Sequence, residues 1–77
     1  MPDFEVYIDD DRYSVPTLYL ITATSEARAR RMADELLIAS NHHQGVELWV
    51  GGESVYAAGS LAAPAAVAEE LEGGAAL

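Results

Sequence analysis

The apolar residues of this chain change their period twice. Phe4, Val6 and Ile8 stand at every second position, Ala29, Met32, Ala33, Leu36 and Leu37 follow steps of three and four, and Val46, Leu48 and Val50 return to every second position. A period of two puts side chains on alternate faces of a strand, and a period near 3.6 gathers them on one side of a helix. The chain is therefore bound to an α+β domain in which β structure flanks a single amphipathic helix.

Local signals fill in the order. A strand over residues 4–8 is followed by the polar turn Asp9-Asp10-Asp11-Arg12, and a longer second strand is expected over residues 13–23. Pro16 has no N–H to give to a ladder, so that end of the second strand reads as an edge or a bulge. Thr24 or Ser25 supplies the helix N-cap, and Glu26 sits favourably in the first turn. Glu26–Arg30 and Arg31–Glu35 are oppositely charged pairs one turn apart. The helix is expected to end near Ser40, with residues 41–45 as a loop. A third strand over residues 46–50 then turns at Gly51-Gly52, whose glycines permit the positive φ of a primed two-residue hairpin. The fourth strand covers residues 53–58 and stops at Gly59-Ser60. The layout is ββαββ, and a fully antiparallel four-stranded sheet takes the order 2-1-3-4, with the hairpins joined through strands 1 and 3.

Residues 1–59 make this domain, and residues 60–77 form an Ala-rich tail. Leu61, Pro64, Val67 and Leu71 give the tail a weak apolar stripe, ended by Gly73-Gly74. Such a segment either packs on the sheet as a short helix or stays flexible, since short isolated helices are marginal.

Size and charge narrow the function classes. A domain of 77 residues buries only about 60–65% of its unfolded surface and normally needs reinforcement. With no cysteine there are no disulfides and no thiolate metal sites. A well-packed core or a partner subunit remains. Thirteen acidic residues against four arginines and no lysine leave a net charge of −9. That balance speaks against direct nucleic-acid binding, which needs cationic side chains. It fits either plain solubility or a basic partner. Residues 1–5 carry no positive n-region, and no apolar run reaches the length of a membrane span. A cytoplasmic protein without membrane contact is the expectation.

The helix can cover only one side of the sheet. If Phe4, Val6, Ile8, Leu18, Leu20, Val46, Leu48 and Val50 face it, then Tyr7, Tyr19, Ile21, Trp49 and Tyr56 face away. Exposed aromatic layers of that size mark contacts on soluble proteins. Self-association or another protein partner, coverage by the tail, and a small-ligand platform are the three uses such a face has.

Other residues point to no chemistry. Ile38 lies opposite the helix stripe as an ordinary exposed residue. His42 and His43 are adjacent in the expected loop and lack ligand spacing, and Asp9-Asp10-Asp11 lacks the alternation of a calcium loop. No serine sits in a nucleophile elbow, and Gly51-Gly52 is too short to hold phosphate. The expectation is no catalytic residue, no metal, no cofactor and no enzyme activity.

The run Val46-Glu47-Leu48-Trp49-Val50-Gly51-Gly52-Glu53-Ser54-Val55, the opening Phe4-Glu5-Val6-Tyr7 and the alanine-spaced helix Ala29 to Leu36 resemble small uncharacterised proteobacterial ββαββ proteins with a "VEVW-x-G-x-x-V" second hairpin. The likeness spans about residues 3–58. It implies the ββαββ layout and no activity. Two functions fit these features. One is a non-enzymatic protein-interaction module that self-associates through the aromatic sheet face. The other is a small acidic phage-type inhibitor, similar in size and charge to anti-CRISPR or anti-restriction proteins, that blocks a basic nucleic-acid-binding surface.

Overall fold

The computed structural model describes residues 2–62. The alternating segments become strands β1 (Asp3–Asp10), β2 (Thr17–Thr22), β3 (His43–Val50) and β4 (Glu53–Gly59), with helix α1 (Glu26–Ile38) between the hairpins. All pairings are antiparallel, and the strand order is β2-β1-β3-β4, as the sequence predicts. The expected tail stripe through Pro64, Val67 and Leu71 and the stop at Gly73-Gly74 lie outside the described residues.

The helix forms where its signals predict. Ser25 is the N-cap, its Oγ accepting from Arg28 N at 3.2 Å. The Glu26–Arg30 pair closes at 2.6 Å, whereas Arg31–Glu35 makes no ion pair among the described residues. Ala29 and Ala33 are fully buried and let the helix axis lie close to β3 and β1. They join Phe4, Val6, Ile8, Ala23, Val46 and Leu48 in one core, with Met32, Leu36 and Leu37 half-buried at its border. Ile38 is exposed, as expected.

The β1–β2 connection is longer than the sequence reading allows. β1 runs on to Asp10 and β2 begins only at Thr17, so Tyr13, Ser14 and Val15 lie in the loop. The cause is a buried anchor. Asp10 is almost wholly enclosed, and its carboxylate accepts from Arg12 Nε at 3.0 Å, Arg12 Nη2 at 2.7 Å and Arg12 N at 3.0 Å. Those hydrogen bonds hold the Asp10 carboxyl well below the usual carboxylate range. His43 belongs to β3 rather than to a loop. Its Nδ1 donates to Leu36 O at 2.6 Å, capping a carbonyl at the end of α1, and its Nε2 lies 3.7 Å from Asp10 Oδ2.

Candidate functional site

The register of β1 against β2 pairs Phe4 with Ile21, Val6 with Tyr19 and Tyr7 with Leu18. Residues paired across a ladder share a face. Tyr19 and Ile21 therefore stand on the helix side, while Leu18 and Leu20 stand on the open side. This reverses the expected phase of β2. The segment Thr17–Thr22 is apolar on both sides, so its composition marks no solvent face, and a one-residue slip exchanges the two sets. The anchored loop decides the slip, with Asp11 N donating to His42 O and Tyr13 N donating to Asp10 O, each at 3.0 Å.

Tyr56 is likewise on the helix side. The β3–β4 register passes from Trp49↔Ser54 to Leu48↔Tyr56, leaving Val55 as an extra, bulged residue. The bulge shifts the phase of everything after it. Tyr56 pairs beside the core residue Leu48, donates its hydroxyl to Asp34 Oδ1 at 2.5 Å and lies under the Arg30 guanidinium. The hydrogen bond to the Asp34 carboxylate raises the Tyr56 pKa. Of the five residues expected to form one aromatic face, only Tyr7 and Trp49 share the open side.

Those two rings meet edge to face, centroids 6.2 Å apart and planes at 79°. The register sets Glu5 opposite Trp49 and Tyr7 opposite Glu47. The four side chains make a checkerboard, with aromatics on one diagonal and carboxylates on the other. Ser54 Oγ donates to Glu47 Oε2 at 2.7 Å and steadies that carboxylate. Trp49 Nε1 is buried without a hydrogen-bond partner among the described residues. A cavity of about 390 Å³ opens over the checkerboard, walled by Pro16 and Leu61.

Leu61 reaches this place because the chain doubles back after β4. Gly59 has φ +68°, and a Cβ there would collide with Gln44 O. Ser60 then crosses Gly45, donating its N–H to Gln44 O at 2.9 Å and its Oγ to Asp9 Oδ2 at 2.6 Å. A side chain on Gly45 would meet Ser60 Oγ at 2.5 Å and Leu61 N at 2.7 Å. Two facing glycines thus make the crossing sterically feasible.

The second feature is the outer edge of β2, which no strand pairs among the described residues. Leu18 is 49% exposed, Tyr19 39% and Leu20 72%, and the strand carries no charge. Ala23 N donates to Pro2 O at 3.3 Å, which marks that pair as hydrogen-bonded. By antiparallel alternation the backbone groups of Leu18, Leu20 and Thr22 point away from β1. Tyr19 and Ile21 also line a groove of about 350 Å³ beside Met32 and Leu36. The opposite edge is protected. β4 carries the bulge at Val55, and the Val55 carbonyl accepts from Arg30 Nη2 at 3.2 Å.

No family model, curated protein or solved structure matches this chain. Among the described residues no helix is long and apolar enough to cross a membrane.

Sequence reasoning found Tyr7 and Trp49. It missed Leu18 and Leu20 as exposed residues, and it passed over Glu5 and Glu47. The signal for the two glutamates was present, since each alternates with core residues on its strand.

Proposed function

We propose that this chain is a non-enzymatic protein-interaction module that pairs with a second copy of itself along β2. The observation that carries this reading is the edge strand Thr17–Thr22, uncharged, exposed on both faces and bearing an outward hydrogen-bonding ladder that is unused among the described residues. Soluble proteins usually blunt such edges with charge, proline or bulges. This edge is blunted only before its start, at Pro16. A two-fold axis at Leu20 sets that residue opposite its own counterpart, Leu18 opposite Thr22 and Tyr19 opposite Ile21. Each strand then offers outward N–H and C=O groups to the other, the self-complementarity a two-fold contact requires. The two sheets become one, and Tyr19 and Ile21 of each copy close over the groove beside α1. A small domain without disulfides gains the reinforcement that its size calls for.

Sedimentation equilibrium at micromolar concentration tests it. The wild-type chain is expected to be dimeric, and Tyr19→Lys, which alters the edge on the helix side only, to be monomeric with an unchanged far-UV spectrum. A wild-type monomer throughout that range overturns the reading. A dimer that survives Tyr19→Lys but not Tyr7→Lys moves the contact to the open sheet face.

A further inference from the structure

The geometry points to a second, separate site on the open sheet face, one that binds an arginine-bearing segment of a basic protein partner. Its basis is charge and shape at the checkerboard, independent of the β2 edge. Glu5 and Glu47 occupy one diagonal, and neither makes a salt bridge among the described residues. Asp3 and Asp9 extend the same row along β1. No basic residue balances them. All four arginines lie off the sheet, Arg12 in the β1–β2 loop and Arg28, Arg30 and Arg31 on α1. Every charged strand residue on this face is therefore acidic, on a chain of net charge −9.

The other diagonal selects the kind of cation. Tyr7 and Trp49 present a perpendicular pair of π surfaces. A guanidinium is planar, stacks on such rings and takes carboxylates through paired N–H donors, whereas an ammonium is a strongly hydrated point charge. The cavity of about 390 Å³ admits a side chain of arginine size, and the apolar walls Pro16 and Leu61 suit its methylene stem. Residues 63–77 contain Glu69, Glu70 and Glu72 and no basic residue, so the chain's own tail is mismatched in charge to this face.

The test titrates the full chain with capped hexa-arginine peptide at low salt and follows Trp49, the only tryptophan, beside the anisotropy of labelled peptide. Saturable binding with a shift of Trp49 emission is expected, tighter than for hexa-lysine. The double variant Glu5→Gln/Glu47→Gln is expected to weaken binding about threefold to thirtyfold, the range for two partly exposed ion pairs. Glu26→Gln/Glu35→Gln removes the same charge from α1 and should stay within about twofold of wild type. Tyr19→Lys, which disrupts the β2 edge from the helix side of the sheet and away from Glu5, should bind as wild type does, which keeps this outcome separate from the oligomeric state. Equal weakening in the two double variants means attraction by net charge alone and overturns the site. Binding without any response of Trp49, or no binding at low salt, overturns it as well.

Discussion

Gly51 and Gly59 offer a controlled measure of how tightly the chain is folded back after β4. Both adopt left-handed backbone, with φ +59° and +68°. Asparagine tolerates that conformation better than other side chains, so Asn carries a similar backbone cost at each position. The surroundings differ. A Cβ on Gly51 meets nothing within 4 Å, whereas a Cβ on Gly59 overlaps Gln44 O and comes to 2.9 Å from Gly45 Cα. Those atoms are backbone and cannot swing aside. Gln44 O is held by Ser60 N at 2.9 Å, and Gly45 is paired on both sides in the sheet. Relief requires opening the ladder or releasing Ser60, and overpacking of this kind costs about 1–3 kcal/mol. Gly59→Asn is therefore expected to melt roughly 5–20 °C below Gly51→Asn, at about 4–8 °C per kcal/mol for a domain of this size. Circular dichroism melts of both variants and wild type measure it. In Gly59→Asn the Trp49 emission should also shift, because Leu61 loses its place in the wall of the cavity that Trp49 lines. Equal melting temperatures for the two variants would refute the close approach and, with it, the positioning of Leu61.

Leu48 is fully buried whereas Leu36 sits at the core border. In urea unfolding Leu48→Ala is expected to lose about 2–5 kcal/mol and Leu36→Ala about 1–2 kcal/mol, and equal losses would contradict the helix placement. The hydrogen bonds from Arg12 lower the Asp10 pKa on folding, so their stabilisation is fully present above the unfolded carboxylate's pKa and fades as pH falls through ~4 toward the depressed value. Asp10→Asn should melt well below wild type at pH 7, and the gap should narrow under acid. A gap independent of pH would remove the Asp10 charge from the account.

Much of this domain is legible residue by residue. The periods of Phe4-Val6-Ile8, Ala29 to Leu37 and Val46-Leu48-Val50, the Ser25 cap and the Gly51-Gly52 turn each depend on atoms a few positions apart. A local reading is therefore enough for the elements and their order. The absence of any Lys or Arg from the four strands is also plain in the sequence, and it makes the open face acidic. Which side chains reach that face is a different matter. Thr17–Thr22 is apolar in both phases, so its orientation follows from the register against β1, which the Asp10–Arg12 anchor sets. Tyr56 turns toward the helix because Val55 bulges, and the bulge exists only in the pairing with β3. Gly45 and Gly59 look like ordinary strand punctuation until the chain crosses between them. Register, bulge and crossing depend on residues far apart in sequence, and a one-residue shift in register or bulge inverts the faces of a strand, so the surfaces of this protein were decided only by its tertiary structure.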